Sequence, residues 1–136
     1  MEWHIYIDGA SSGNPGEAGA GIVVFDEKKN EILSESIYLG HMTNNMAEYS
    51  ALIAALQRAE KACIQDLFIY TDSQLVAYQI QGKYKVKNHQ LSNYVEKAKT
   101  IIKLFNNFDI QYIPRTKNKL ADKLAKNGIN KKRVDG

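Results

Sequence analysis

Short apolar runs near the start of the chain predict three β-strands. The run Trp3-His4-Ile5-Tyr6-Ile7 is aromatic and β-branched, which predicts a strand that ends at Asp8. A turn-rich loop is expected over residues 9–16, and two further strands over residues 20–25 and 31–39. Because a short polar turn separates these last two runs, the three strands are predicted to form an antiparallel meander.

The rest of the chain alternates between helical spacing and compact apolar runs. A helix capped by Thr43 or Asn44 is predicted to continue through Leu56. A strand over residues 67–71 is predicted to end at Asp72, where Ser73 begins a short helix that stops before Gly82. Three later elements are predicted: an amphipathic helix over residues 91–105, a strand over residues 110–113 that Pro114 breaks, and a last helix with Leu120, Leu124 and Ala125 on its apolar side.

The order of these elements, βββαβααβα, predicts an α/β fold in which helices flank a mixed sheet. We assign residues 1–129 to one domain and expect residues 130–136 to be a frayed basic tail. The composition is that of an ordinary globular domain, since 44% of the 136 residues are hydrophobic and 24% are charged. The single cysteine, Cys63, excludes an internal disulfide and a cysteine-based zinc site.

The charge is unevenly distributed along the chain. Residues 1–82 carry 4 Lys/Arg and 11 Asp/Glu, a balance of −7, whereas residues 83–136 carry 14 and 4, a balance of +10. This asymmetry predicts an anionic partner for the basic part. No apolar run approaches the roughly 20 residues of a membrane span, and the first residues lack the pattern of a secretory signal. We therefore expect a cytoplasmic monomer that does not contact membranes.

Four carboxylates occupy positions at which acids of different elements could meet. Asp8 and Asp72 are predicted to follow two strands, whose carboxyl ends lie at one sheet edge if the strands are parallel neighbours. Glu48 and Asp122 are predicted to lie in the first turns of two helices. Each position alone also fits a local role, because strand-end acids serve turns and first-turn acids favour the helix dipole.

The residues around these acids make the pattern specific. Four blocks occur in this order: Asp8-Gly9-Ala10-Ser11-Ser12-Gly13-Asn14-Pro15-Gly16, Thr43-Asn44-Asn45-Met46-Ala47-Glu48, Thr71-Asp72-Ser73-Gln74 and Asn118-Lys119-Leu120-Ala121-Asp122. With them, the sequence resembles the ribonuclease H type 1 family over about residues 3–128. The resemblance implies a five-stranded mixed sheet in the order 3-2-1-4-5. It also implies hydrolysis of the RNA strand of RNA–DNA hybrids, leaving 5′-phosphate and 3′-hydroxyl ends.

The resemblance further implies that Asp8, Glu48, Asp72 and Asp122 are catalytic and hold two Mg²⁺ ions. Asp8 is expected to bridge both ions, Glu48 and Asp72 to share the first, and Asp122 to bind the second. Two hard cations can activate a water and stabilise the leaving oxygen of a phosphodiester. Oxygen ligands suit Mg²⁺, with Mn²⁺ as a possible substitute.

Substrate contacts are also implied by the resemblance. It places Ser11, Gly13 and Asn14 beside the RNA strand, with Glu48 accepting from a 2′-hydroxyl, the group that distinguishes RNA from DNA. Gln74 is expected to contribute backbone contacts. The other expected contacts are Asn44 and Asn45 where both strands are read, Thr43 and Asn88 at a DNA phosphate, and Tyr84 against a deoxyribose. The alternatives are a helix N-cap for Asn44 and partial burial against the Leu91 helix for Tyr84.

The sequence departs from the family in three places. Only residues 83–89 stand where many members carry a long basic protrusion, so this is a short form. Residues 114–118 contain Arg115 but not the histidine that many members place there, and His41 stands where an arginine is often found. These departures leave slow turnover and a preference for Mn²⁺ open. Two other functions also stay open: a catalytically weak or inactive module that binds hybrid or structured RNA, and another nuclease of this fold, such as a junction resolvase.

Overall fold

Five strands form one mixed sheet in a computed structural model that describes residues 1–135, with side chains to residue 131. The strands are β1 (Glu2–Ser11), β2 (Gly16–Asp26), β3 (Glu31–Met42), β4 (Asp66–Thr71) and β5 (Asn107–Tyr112). Their order is β3-β2-β1-β4-β5, which confirms the predicted topology. The first three strands are antiparallel neighbours, whereas β4 lies parallel to both β1 and β5.

Four α-helices accompany the sheet within residues 1–135. They are α1 (Asn44–Lys61), α2 (Gln74–Gln81), α3 (His89–Ile102) and α4 (Lys119–Asp135), with a single 3-10 turn at Arg115–Lys117. Side chains cap three of them, because Thr43, Ser73 and Asn88 accept hydrogen bonds from the first backbone N–H groups of α1, α2 and α3. No helix in the part of the chain that the structure describes is long and apolar enough to cross a membrane.

The sheet separates two helical layers. On one face, α1 packs against β1 and α3, and the core there includes the fully buried Ile5, Leu52 and Leu56. On the other face, α4 lies against β2 and β3. Gly21 allows a very close approach there, since a Cβ at this position would collide with the Ala121 carbonyl. The first turn of α4 is therefore held against the sheet backbone.

Three predicted boundaries are wrong. Strand β1 does not end at Asp8, because its antiparallel pairing with β2 continues to Ser11 opposite Ala18. The turn-rich segment is consequently reduced to residues 12–15 at the tip of a long hairpin. The predicted amphipathic helix stops at Ile102, where the chain turns so that Asn107 can pair with Asp66 and begin β5 earlier than expected. The helical assignment of α4 continues to Asp135, and the frayed tail expected from residue 130 stays a prediction.

Candidate active site

Asp8 and Asp72 lie side by side at the edge where β1 and β4 end their pairing. The last register pair of these parallel strands is Ile7 with Thr71, and each acid is the next residue. Both side chains continue the sheet face on which Tyr6 stacks on Tyr70, with ring centroids 4.7 Å apart. The expectation that two parallel strands bring these carboxylates to one edge is confirmed.

Glu48 is held over this edge by a close contact between α1 and β1. Gly9 lies so near the start of α1 that a Cβ would collide with the Ala47 carbonyl. This approach allows the backbone N–H of Gly9 to donate a 2.5 Å hydrogen bond to Oε1 of Glu48. Carboxylate oxygens of Asp8, Glu48 and Asp72 lie within 4.8 Å of one another, an arrangement that could hold a metal ion.

Asp122 completes the group from the first turn of α4. Its Oδ2 accepts a 3.0 Å ion-pair contact from Nζ of Lys126, one turn further along the helix. Hydrogen bonding of Asp8 with Asp122 and with Glu48 acts to raise the pKa of Asp8 and to lower the pKa of both partners. Of the four acids predicted as ligands, three therefore form one compact cluster, and the fourth touches it through Asp8.

Burial, and after it the charges of neighbouring groups, shifts the pKa of several carboxyl groups in the site. Burial, followed by the charges of Glu48 and Asp72, raises the pKa of Asp8 to about 10. Burial also raises the pKa of Glu48 to about 7, although the Gly9 N–H acts in the opposite direction. Burial acts to raise the pKa of Asp122, but the hydrogen bond and charge of Lys126 lower it.

The shifted pKa values of these carboxyl groups bear on whether the site fits a divalent cation. Three buried or half-buried carboxylates cannot all ionise at neutral pH without a compensating positive charge. The donors are oxygen atoms only, which are the ligands that Mg²⁺ and Mn²⁺ prefer. The residue set therefore fits a hard divalent metal.

Two further residues act on the site, and the sequence analysis did not assign the first of them. Asn118 is 2% exposed, and its Nδ2 donates to the Ile7 carbonyl at 2.8 Å and to Asp72 Oδ2 at 3.4 Å. It thus connects the start of α4 to both strands at the acidic edge. The sequence signal for Asn118 was its position just before a predicted helix. That position is typical of a helix N-cap and does not indicate a contact with the acids. Arg115 lies near enough to lower the pKa of Glu48 and of Asp122 by its charge.

The residues expected beside RNA lie around the tip of the β1–β2 hairpin. The single O–H of Ser11 lies within hydrogen-bond reach of two carbonyl acceptors, those of Gly13 and Met42, and the second of these connects the tip to the end of β3. Asn14 Oδ1 accepts a 3.0 Å hydrogen bond from the backbone N–H of Asn44. The hairpin tip and the start of α1 are therefore joined, and four of the predicted contact residues share one surface.

The remaining predicted contacts lie at helix starts and in the loop between α2 and α3. Asn45 and Gln74 are exposed in the first turns of α1 and α2. Thr43 and Asn88 use a side-chain oxygen to cap a helix, and this role leaves their proposed phosphate contact untested. Tyr84 is 43% exposed and packs edge-to-face on Tyr78 of α2, with ring centroids 5.0 Å apart, so both its proposed deoxyribose contact and partial burial against the Leu91 helix stay predictions.

Comparison with known proteins agrees with this fold. The family described as "Reverse transcriptase-like" matches residues 6–128. The structure of RNase H1 from Halobacterium salinarum superposes with a TM-score of 0.93 at 35% identity, covering 96% of this chain and 99% of that one. LC11-RNase H1, solved in complex with an RNA/DNA hybrid, gives a TM-score of 0.89 at 40% identity, covering 95% and 97%.

A longer relative matches over the same region. The bifunctional protein Rv2228c of Mycobacterium tuberculosis is 38% identical over 131 residues, which cover 96% of this chain. The chain spans about a third of the length of that relative, since the match covers 36% of it. The shared fold, the family match and the identity over nearly the whole chain together establish that this chain belongs to the ribonuclease H type 1 family.

Proposed function

We propose that this protein is an endoribonuclease that hydrolyses the RNA strand of RNA–DNA hybrids and leaves 5′-phosphate and 3′-hydroxyl ends. The observation that carries the proposal is the convergence of Asp8, Glu48 and Asp72 within 4.8 Å, with Asp122 hydrogen-bonded to Asp8. The likeness to LC11-RNase H1, whose structure contains such a hybrid, supports the choice of substrate.

In this proposal Asp8, Glu48, Asp72 and Asp122 would hold two Mg²⁺ ions. Asp8 would serve both ions, Glu48 and Asp72 the first, and Asp122 the second. When bound, the ions would lower the pKa of a water nucleophile and stabilise the leaving oxygen. The chain keeps the ligands oriented through the Gly9 N–H on Glu48 and the Asn118 amide on Asp72.

Recognition of the hybrid rests on surfaces on either side of this cluster. The hairpin tip with Ser11, Gly13 and Asn14 is proposed to follow the RNA strand, where backbone and small polar groups can reach 2′-hydroxyls. Thr43, Asn88 and Tyr84 are proposed to contact the DNA strand. The exposed Lys83, Lys85 and Lys87 would add phosphate contacts, which dominate affinity for nucleic acids.

Three finer points belong to the same proposal. Mg²⁺ is the proposed physiological metal, and Mn²⁺ is its proposed substitute. We further propose that the protein acts as a monomer and in the cytoplasm. Sedimentation of the purified protein in the presence and absence of hybrid tests the monomer, and a dimer under both conditions would contradict it.

The activity is tested with four labelled duplexes of one sequence: RNA–DNA, RNA–RNA, DNA–DNA, and DNA with one embedded ribonucleotide. Each is incubated with Mg²⁺, with Mn²⁺ or with a chelator. We expect metal-dependent cleavage of the RNA strand in the hybrid and no cleavage of the RNA–RNA and DNA–DNA duplexes. Binding of hybrid without cleavage under every metal condition would instead favour the non-catalytic binding module, and cleavage of DNA–DNA would favour a different nuclease.

A further inference from the structure

A buried glutamine connects the helix that carries Glu48 to the loop that carries the proposed DNA-strand contacts. Gln79 of α2 is 5% exposed. Its Oε1 accepts a 2.5 Å hydrogen bond from the hydroxyl of Tyr49, and its Nε2 donates to the Lys85 carbonyl at 3.4 Å. Tyr49 is fully buried and is the residue after Glu48. The sequence analysis gave Gln79 no role.

The orientation of this amide is determined by its partners. The Lys85 carbonyl can only accept a hydrogen bond, so the NH₂ group of Gln79 must face it. Oε1 then faces Tyr49, whose hydroxyl must donate. A tyrosine hydroxyl carries its proton at neutral pH, so it can donate here. One amide therefore satisfies a buried hydroxyl and holds a loop backbone at the same time.

The loop held in this way, residues 83–88, consists almost entirely of exposed side chains. Its first part is fixed to the end of α2, because the backbone N–H groups of Lys83 and Tyr84 both donate to the Tyr78 carbonyl. Its last residue, Asn88, is fixed by capping α3. The bond from Gln79 holds the middle of the loop at Lys85, between these two anchors.

If only the two ends of this loop were fixed, the side chains of its lysines and of Tyr84 could still change direction. Since hydrogen bonds to buried groups are costly to leave unmade, the Tyr49–Gln79 pair gives the middle of the loop one preferred position relative to α1. We propose that Gln79 is a positioning residue. It holds the α2–α3 loop at a defined position relative to the carboxylate site, so that both can contact the same hybrid. This inference rests on the proposed function.

The test is Gln79→Leu, which keeps the volume but removes both hydrogen bonds. We expect KM for the hybrid to rise about 3- to 10-fold while kcat stays within about twofold, because the carboxylates are untouched. The dependence of KM on salt concentration should weaken, since fewer phosphates are contacted. Gln81→Leu is the matched control, because Gln81 lies on the same helix and donates to a different backbone carbonyl, that of Ile110, at 2.6 Å. It should leave KM unchanged.

A second variant separates positioning from stability. Gln79→Leu leaves the Tyr49 hydroxyl buried without a partner, and that alone should lower the melting temperature. The double variant Tyr49→Phe/Gln79→Leu removes the orphaned hydroxyl. We expect it to recover much of the lost melting temperature while KM stays raised. Return of KM to the wild-type value in the double variant would overturn the proposal, since the effect would then be one of stability.

Amide hydrogen exchange provides a readout that does not depend on activity. Exchange at residues 84–87 should become faster in Gln79→Leu than in the wild type, and it should stay fast in the double variant. Unchanged exchange and unchanged KM in Gln79→Leu would overturn the inference and leave the proposed function intact. A wild-type protein that neither binds nor cleaves hybrid would instead overturn the proposed function, together with the role of the loop in binding.

Discussion

The backbone N–H of Gly9 donates to Oε1 of Glu48 at 2.5 Å, across a contact between β1 and α1 that leaves no room for a side chain at Gly9. This bond places the carboxylate of Glu48 against Asp8 in spite of their repulsion. The acidic cluster therefore depends on a close backbone approach as much as on the acids themselves.

Substitution of Gly9 should accordingly disrupt the site through the backbone. In Gly9→Ala, the new methyl group meets the Ala47 carbonyl and forces α1 away from β1, at a cost of about 1–3 kcal/mol in unfolding free energy. We expect kcat to fall by about 10-fold or more, because small displacements of catalytic groups are costly. Urea unfolding and single-turnover cleavage measure the two effects.

Gly128→Ala provides the comparison for this variant. A Cβ at Gly128 would collide with the Ile37 carbonyl, far along α4 from the acids. It should therefore cost similar stability and leave kcat unchanged. Equal losses of kcat in both variants would show that the effect at Gly9 is a general loss of folding.

Neutralising either strand-end acid should stop the reaction without preventing binding. In Asp8→Asn and Asp72→Asn, the shape is kept but a metal ligand is lost, so we expect kcat to fall by about 10³-fold or more. Hybrid binding, measured by fluorescence anisotropy in Mg²⁺, should remain within a few-fold of the wild type. Full activity of either variant would contradict the assignment of ligands.

Asp8→Asn should also stabilise the protein when no metal is bound. Burial raises the folded-state pKa of Asp8 well above the ordinary aspartate value of 3.8, so the folded state retains a proton that the unfolded state has released. Wild-type stability should therefore fall, relative to that of Asp8→Asn, as pH rises from about 4 towards 8. The slope is at most about 1.4 kcal/mol per pH unit for each retained proton.

Urea unfolding in chelator at several pH values measures this difference. Asp26→Asn should show the opposite sign, because backbone N–H groups of the β2–β3 turn, that of Asn30 first, lower the pKa of Asp26, and its stabilising effect is present above the unfolded value. Saturating Mg²⁺ should reverse the order of wild type and Asp8→Asn. Parallel pH profiles for all three proteins would show that the acids do not repel one another in the folded state.

Arg115 should compete with the metal for the carboxylates. Its positive charge lowers the pKa of Glu48 and Asp122, and a cation at that place also repels a bound divalent ion. In Arg115→Ala, the Mg²⁺ concentration that gives half-maximal activity should fall by about twofold, a typical size for a partly exposed charge. Lys117→Ala, on the same exposed turn, is the control and should not change it. A higher Mg²⁺ requirement in Arg115→Ala would contradict this role.

The sequence determined the elements and the identity of the acids. Alternation and helical spacing are local properties, so the strand that ends before Asp72 and the helix that begins near Thr43 or Asn44 could be predicted from neighbouring residues. The resemblance supplied the strand order, which the structure confirms.

The tertiary structure alone decided how closely these elements approach. Continued pairing with β2 carries β1 beyond Asp8, and the glycine contacts at Gly9 and Gly21 set the spacing of α1 and α4 from the sheet. The hydrogen bonds of Asn118 and Gln79 could not be predicted from neighbouring residues either, because their partners, Ile7 and Tyr49, lie far away along the chain. Close packing and buried hydrogen bonds depend on distances between elements, and local sequence patterns do not encode those distances.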